Sequence, residues 1–153
     1  MVLLDISRRE VVKARAAIPG LRGVVADGER PPFRSGSMAL IVSNSVIEHV
    51  AAPGQLAEEI LRVGQEYFVQ TPHAGFPVET HSYVGIPFYR QIRGERLRRL
   101  LSRLFGADYD YVESVRYLGE SDLRRMFPGG RIEREKVLVL TKSYYVIGRQ
   151  ARQ

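Results

Sequence analysis

The sequence contains no cysteine and no tryptophan, and only 3 of its 153 residues are lysine. The absence of cysteine excludes disulfides, thiolate metal sites and cysteine nucleophiles. No apolar run approaches the roughly 20 residues that a membrane-spanning helix needs, and the opening "MVLLDISRRE" has neither the basic leader nor the cleavage site of a signal peptide. We therefore expect a cytoplasmic protein with no membrane partner.

The length and composition indicate one globular domain, residues 1–153. The 44% hydrophobic and 26% charged content is ordinary for such a domain, and the chain is too short for two typical domains. The formal net charge is +6, with 20 arginines against 3 lysines. A basic balance permits contact with nucleic acid or acidic substrates but does not require it.

Much of the positive charge lies in "RQIRGERLRRLLSRLF", residues 90–105, which is predicted to form a helix. Four leucines recur at helical spacing and three arginines share another face: Leu97, Leu100, Leu101 and Leu104, and Arg96, Arg99 and Arg103. The arginine face is either solvated or binds a phosphate, a nucleic acid or an acidic partner. No aromatic residues interleave with the arginines as a base-stacking surface requires, so we do not expect nucleic acid to bind.

Apolar runs alternate with helical patterns along most of the chain. The predicted strands are residues 2–5, 23–26, 38–43 and 66–70, and the main predicted helices run from the capping box "SRRE" to Ile18 and over residues 53–64. This alternation predicts an α/β fold with a mostly parallel sheet. The runs within residues 131–149 predict an antiparallel hairpin at its edge.

Residues 73–94 are rich in glycine, proline and aromatics, and with the basic helix they form a predicted insertion over 73–105. A long irregular segment of this kind is typical of a functional loop or lid. We expect it to lie over the carboxyl ends of the strands, with His81 facing the crevice. Glu79 and His81, in "VETH", are too few for a metal site, so no metal is expected and they are interpreted as acceptor-site residues.

The stretch "SNSVIEHV", residues 43–50, places polar side chains directly after a predicted buried strand. Ser43, Asn44, Glu48 and His49 are the polar residues concerned. Ligands of open α/β sheets bind in the crevice beyond the carboxyl ends of the strands. The stretch is therefore predicted to form the lip of a pocket.

The order of these pieces resembles a known family. A strand ending in "LLDIS", a strand ending in "ADGE", a "PPF" loop, "ALIVSNSVIEHV", a helix, "YFVQTP" and the closing "REKVLVLTKSYY" together resemble a class I S-adenosylmethionine-dependent methyltransferase of the methyltransferase type 11 kind. The resemblance implies a Rossmann-like fold, S-adenosyl-L-methionine as cofactor, and transfer of its methyl group to an acceptor. The lid after "QTP" favours a small-molecule acceptor.

The resemblance also implies roles for the residues around the cofactor nucleoside. Asp5 would accept hydrogen bonds from the ribose hydroxyls, although it could equally cap the next helix. Asp27 would accept from the adenine amino group, or serve as a turn residue beside Gly28. Phe33 would cover the adenine face or anchor its loop to the core.

The same resemblance places Ser43, Asn44 and His49 near the transferred methyl group, and the predicted lid adds His81. Ser43 and Asn44 would meet the methionine end of the cofactor and the acceptor. His49 would orient or deprotonate an acceptor hydroxyl, or instead hold the loop backbone. His81 is the second tentative catalytic residue.

The sequence departs from the family in one respect. No first strand and no glycine-rich strand-to-helix turn precede Asp5, and the family places that strand in the middle of its sheet. A late start codon, a truncated relic or a rearranged sheet would each explain the difference. We therefore expect weak cofactor binding by this chain alone and association, such as homo-oligomerisation, through unpaired strand edges. The alternatives to an active methyltransferase are a noncatalytic relative that acts through a partner and a basic nucleic-acid-binding protein.

Overall fold

A computed structural model describes residues 1–77, 89 and 92–150 of the chain. Its elements in chain order are β1 (Val2–Asp5), α1 (Arg8–Ala17), β2 (Arg22–Val25), β3 (Met38–Asn44), α2 (Pro53–Val63), β4 (Gly64–Pro72), α3 (Glu95–Leu104), α4 (Tyr109–Ser114), α5 (Glu120–Met126), β5 (Arg131–Val137) and β6 (Leu140–Arg149). The predicted α/β fold is confirmed, and the predicted strands lie within a few residues of the observed ones.

The strands form two separate sheets. In the first, β1 and β2 pair in parallel; the second has the order β3-β4-β6-β5. Here β3 and β4 are parallel, whereas β6 runs antiparallel to both β4 and β5. No strand pairing among the described residues joins the two sheets, and β1 and β3 each pair with one neighbour. The missing strand between them, implied by the family resemblance, stays a prediction.

The main core lies between α2, α5 and one face of the second sheet. The apolar residues of α2 recur at helical spacing, and Leu56, Ile60 and Val63 are buried. They belong to or adjoin a cluster that also contains Tyr67, Val69, Leu123, Phe127, Tyr144 and Val146. The first sheet is covered by α1, which contributes only Val11 as a fully buried side chain. The second sheet is therefore the structural centre of the chain.

Gly64 joins α2 directly to β4 without an intervening loop. It occupies the position after the last helical residue, and with φ −88° its backbone is extended rather than left-handed. A Cβ atom at this position would lie 3.0 Å from the carbonyl oxygens of Ile60 and Glu66. Glycine is needed here for the close approach of backbone to backbone.

The hairpin of β5 and β6 turns through Leu138, whose φ of 55° lies in the left-handed region. At the base of the turn, the Glu135 carboxylate accepts hydrogen bonds from the Lys142 ammonium at 2.8 Å and from the Ser143 hydroxyl. These two contacts lower the pKa of Glu135 to about 2. The ionised carboxylate therefore stabilises the hairpin.

Glu135→Gln is expected to lower the free energy of unfolding by about 1 kcal/mol at neutral pH, since a partly exposed ion pair is screened by solvent. Because the pKa of the folded state lies below the ordinary value of 4.5, this stabilisation is complete above that value and is lost as the pH falls towards 2. Urea unfolding of both proteins across this range measures the difference.

The matched control is Glu133→Gln on the same strand, where Glu133 pairs at 3.0 Å with Arg131 and both side chains are well exposed. The control should lose little stability. Equal losses in the two variants, or a Glu135→Gln difference that persists at pH 2, would contradict the assignment.

Candidate functional site

Two carboxylates lie at the carboxyl edge of the first sheet. Asp5 ends β1 and is in register with Val25, and Asp27 follows two residues beyond that partner. The Asp5 Oδ1 atom accepts from the backbone N–H of Ser7 at 2.7 Å, and the Asp27 Oδ1 atom accepts from that of Glu29 at 2.9 Å. Both acids thus make the local cap and turn contacts left open by the sequence, and in each the second oxygen has no hydrogen-bond partner among the described residues.

The capping box predicted at "SRRE" is present only in part. Ser7 is the N-cap of α1, and its hydroxyl accepts weakly, at 3.4 Å, from the backbone N–H of Glu10. The backbone N–H of Ser7 goes to Asp5 rather than to the Glu10 carboxylate expected of a full capping box. Asp5 therefore fixes the start of α1.

The loop after Asp27 is fastened to both ends of α2. The Glu29 carboxylate accepts from the backbone N–H of Ala52 at 2.6 Å, at the N-terminus of α2, which has no side-chain cap of its own. Near the other end of α2, the Arg62 guanidinium donates to the carbonyl of Phe33 at 2.8 Å. A Cβ atom on Gly28 would lie 3.3 Å from a methyl carbon of Leu56.

These contacts hold the loop of residues 28–33, which follows the first sheet, against α2, which packs on the second sheet. The Phe33 side chain is half-buried, and it is its backbone carbonyl that anchors the loop. The Glu29 and Arg62 contacts join residues more than 20 positions apart, and no local pattern in the sequence indicates them.

The end of β3 carries the polar stretch that the sequence predicts as a pocket lip. Ser43 is buried on the α2 side of the sheet, and its hydroxyl has no hydrogen-bond partner among the described residues. Asn44 is exposed on the opposite face, in register with Gln70. Ser45 has a left-handed φ of 54°. Its backbone N–H and hydroxyl both donate to Gln70, at 3.1 and 2.7 Å, which holds the chain in this conformation.

Glu48 is fully buried, in contrast to the predicted position on the lip of a pocket. Its carboxylate accepts from the Thr71 hydroxyl at 3.1 Å, and its carbonyl accepts from the backbone N–H of Arg116 at 2.8 Å. The His49 Nε2 atom lies 4.0 Å from the second carboxylate oxygen, and the ring remains partly exposed. Glu48 therefore connects the segment after β3 to Thr71 on β4 and to Arg116, and its carboxylate lies close to the His49 ring.

Two cavities lie on the second sheet, at opposite ends of its parallel strands. The larger, about 1210 Å³, is lined by residues near the strands' amino ends, including Gly36, Arg62 and Gln65. The smaller, about 570 Å³, is lined near their carboxyl ends by Asn44, Gln70, Tyr145 and others. We take the smaller one as the candidate site because ligands of α/β sheets bind beyond the carboxyl ends of the strands.

Several predicted residues are not brought together. Asp5, Asp27 and Gly28 belong to the first sheet, whereas Ser43, Asn44 and His49 belong to the second, and no strand pairing joins the two sheets. Glu79 and His81 lie outside the described residues, so their predicted positions stay predictions. No group of three or more His, Asp or Glu side chains among residues 1–77, 89 and 92–150 could hold a metal ion.

His73 was not singled out by the sequence, yet it begins the segment after β4. Its ring meets Tyr144 edge-on at 5.3 Å, and its Nδ1 atom accepts from the backbone N–H of Gly75 at 3.0 Å. Its backbone N–H donates to the carbonyl of Lys142 at 2.9 Å. These contacts attach the start of the predicted lid to β6, at the carboxyl end of β4, and "TPHAG" contains no signal for them.

In the part of the chain that the structure describes, no helix is long and apolar enough to span a membrane.

Residues 1–66 match the family model described as a methyltransferase domain. No curated protein matches the sequence. Among solved structures, the chain is similar to an S-adenosylmethionine-dependent methyltransferase from Mesorhizobium loti, with a TM-score of 0.64 and 17% identity over 97% of this chain and 80% of that one.

Two further solved structures are similar to this chain. One is a chain of the complex between the Haloferax volcanii Trm112 methyltransferase activator and a protein assigned as a methyltransferase, with a TM-score of 0.60 and 14% identity over 99% of this chain and 72% of that one. The other is the trans-methyltransferase CalH in complex with SAH, with a TM-score of 0.64 and 13% identity over 98% of this chain and 42% of that one.

At these identities the structural matches establish the fold, and the family match covers the segment that carries Asp5, Asp27 and the end of β3. The chain has the Rossmann-like fold of S-adenosylmethionine-dependent methyltransferases. The resemblance to class I methyltransferases inferred from the sequence agrees with this fold and with the family match over residues 1–66.

Proposed function

We propose that this chain is a methyltransferase that takes the methyl group of S-adenosyl-L-methionine and passes it to a small-molecule acceptor. The observation that carries the proposal is the pair Asp5 and Asp27 at the carboxyl edge of two parallel strands in register. Each acid uses one carboxylate oxygen for its own turn. The second oxygen of each is then available to accept from a ligand that presents hydroxyl and amino donors side by side, as a nucleoside does.

In this proposal Asp5 holds the ribose hydroxyls and Asp27 holds the adenine amino group. Gly28 and Phe33 line the adenine side, because the Glu29 and Arg62 contacts fix their loop against α2. Ser43 and Asn44 are assigned to the methionine end. The buried Ser43 hydroxyl, with no partner among the described residues, supports this assignment because a buried polar group without a hydrogen bond is costly.

When bound, the cofactor would supply an activated methyl group on a sulfonium sulfur. The residues of the chain would supply proximity and orientation, which are the main contributions available to a direct displacement. With a hydroxyl acceptor, His49 would take the proton from the acceptor oxygen as the oxygen–methyl bond forms and the sulfur–methyl bond breaks. Glu48, 4.0 Å from the His49 Nε2 atom, would stabilise the imidazolium that results. His81 is retained as a second candidate base.

The smaller cavity, which Asn44 helps to line, favours a small-molecule acceptor. Its volume of about 570 Å³ lies within the range of small-molecule sites, roughly 300–1,000 Å³.

The experiment incubates the chain with millimolar methyl-labelled S-adenosylmethionine and a whole cell extract, then separates the ultrafiltrate from retained macromolecules. Label is expected in the ultrafiltrate. Label confined to retained RNA or protein would contradict the proposed acceptor class, and no label above a heat-treated control would contradict methyl transfer.

His49→Gln is expected to lower the rate of label transfer about 100-fold, as loss of a general base does. The glutamine keeps a polar side chain of similar length but cannot take up the proton. His73→Gln is the matched control, because His73 is also half-buried near the carboxyl end of β4 but packs on Tyr144. Unchanged turnover in His49→Gln, or an equal loss in both variants, would remove His49 from the catalytic residues.

A second candidate function is a methyltransferase-like chain that works only with a bound partner. The supporting observation is the single-sided pairing of β1 and β3, since exposed strand edges invite pairing with another chain. One of the similar solved structures is a complex with the Trm112 methyltransferase activator from Haloferax volcanii. Sedimentation at increasing protein concentration tests self-association: concentration-dependent dimers support a role for the edges, and a strict monomer argues against homo-oligomers.

A further inference from the structure

Helix α3 packs on the protein through its polar side rather than through its leucines. Ser102 is fully buried, and its hydroxyl lies 2.7 Å from the hydroxyl of Tyr89. Arg98 pairs with Glu113 at 3.1 Å and donates to the carbonyl of Ile92 at 3.0 Å. Of the leucines of α3, only Leu101 packs against the small cluster of Tyr89 and Val112.

The other three leucines of the helix form an exposed ridge. Leu97 is 48% exposed, Leu100 53% and Leu104 70%, and Phe105, directly after the helix, is 57% exposed. Residues at these spacings lie above one another on one side of a helix. Contiguous exposed apolar side chains can mark an interaction surface, and here the charges beside the ridge indicate which kind.

Two arginines that form no ion pair with any described residue border the ridge. Arg96 and Arg103, seven residues apart, lie on one side of it, and neither has a carboxylate within 4.0 Å among the described residues. Arg99, between them, is engaged: it pairs with Glu95 at 2.9 Å and lies over the ring of Tyr109 at 4.3 Å. The ridge is therefore apolar on top and positively charged along one border.

We propose that α3 binds the surface of an anionic lipid membrane. A helix with an apolar face and a basic border lies in the membrane interface, its leucines in the acyl region and its arginines at anionic headgroups. The ridge is convex, which fits insertion into a fluid layer. Arginine side chains are long enough to reach the headgroups while their stems cover apolar surface. This differs from the expectation of no membrane partner, which rested on the lack of a spanning segment.

Other occupants fit the charges less well. A second copy of the helix would bring two sets of Arg96 and Arg103 together, and like charges at an interface oppose association. A nucleic acid would use the arginines but leave the leucine ridge in water, with no aromatic platform for its bases. Only a partner that is both apolar and anionic would contact the leucines and the arginines at the same time.

The test measures co-sedimentation of the chain with neutral phosphatidylcholine vesicles and with vesicles containing phosphatidylglycerol. We expect binding to the anionic vesicles, a decrease of about thirtyfold in partitioning for Arg96→Gln/Arg103→Gln, and a similar or larger decrease for Leu97→Ser/Leu100→Ser. All four positions are surface positions, so the variants should keep the unfolding midpoint of the unchanged chain.

Two matched controls lie elsewhere on the surface. Arg8→Gln/Arg9→Gln removes the same charge from an exposed part of α1, and Leu138→Ser removes an apolar side chain that is 93% exposed on the β5–β6 hairpin. Both should bind anionic vesicles like the unchanged chain. The proposal is overturned by absence of binding, by equal binding to neutral vesicles, by an equal loss in either control, or by a leucine-dependent dimer that forms without lipid.

Discussion

S-Adenosylmethionine is expected to bind the 153-residue chain with a dissociation constant in the millimolar range rather than the micromolar range. Asp5 and Asp27 provide carboxylate oxygens for the nucleoside, but each already accepts one backbone N–H. No described strand pairs with the second edge of β1 or of β3, and only Ser43 and Asn44 are assigned to the methionine end. The charged amino acid portion of the cofactor would then remain largely in water.

The size of this effect follows from the missing hydrogen bonds. Each hydrogen bond to a charged group contributes roughly 1.5–3 kcal/mol, and the step from a micromolar to a millimolar constant corresponds to about 4 kcal/mol. Two or three such bonds are enough. Isothermal titration of the chain with S-adenosylmethionine measures the constant, with adenosine as the matched ligand that lacks the methionine end. A micromolar constant would show that residues of this chain complete the pocket.

Glu48→Ala is expected to lower the free energy of unfolding by about 3 kcal/mol. The side chain is fully buried and accepts from the Thr71 hydroxyl. Alanine would leave a cavity and a buried hydroxyl without its acceptor, and each of these costs roughly 1–3 kcal/mol. Total stabilities of small domains are only about 5–15 kcal/mol. The variant is therefore expected to unfold well below the temperature of the unchanged chain.

The matched control is Glu58→Ala, which removes the same side chain from an exposed position of α2. Its effect on unfolding should be within about 0.5 kcal/mol. Urea unfolding of the three proteins gives the comparison. A loss below about 1 kcal/mol for Glu48→Ala would mean that burying the carboxylate costs about as much free energy as the cavity left by its removal. The stabilising role of Glu48 would then be rejected.

The strands and the main helix were predictable because their signals are local. Apolar runs mark β1 to β4, and the spacing of Leu56, Ile60 and Val63 marks the buried face of α2. The two readings of Asp5 and Asp27 were also local, since each carboxylate bonds a backbone N–H two residues ahead. The division of the strands into two sheets that do not pair with each other was suggested by the family resemblance and not by periodicity.

The interior roles of charged residues were not predictable, because their partners are distant in sequence. Glu48 meets Thr71, 23 residues away, and Glu29 accepts from Ala52. In α3 the leucine spacing predicted a helix but did not indicate which side is buried, because the Ser102–Tyr89 and Arg98–Glu113 contacts set the buried side. Amphipathic spacing shows that a helix has two faces, and tertiary contacts decide which one is buried.

The most direct test of the account is an amide NMR titration with S-adenosylhomocysteine and, separately, adenosine. The account predicts millimolar binding of both ligands with similar constants, and shifts centred on the amides of residues 5–7 and 27–29, with smaller shifts at Ser43 and Asn44. Asp108→Asn serves as the control variant, since Asp108 makes the same turn contact to residue 110, at 3.0 Å, away from the candidate site. Asp5→Asn and Asp27→Asn should weaken binding about tenfold, and Asp108→Asn should not. Shifts confined to the larger cavity around Gly36 and Gln65, or no shifts at millimolar ligand, would contradict the placement of the cofactor site at Asp5 and Asp27.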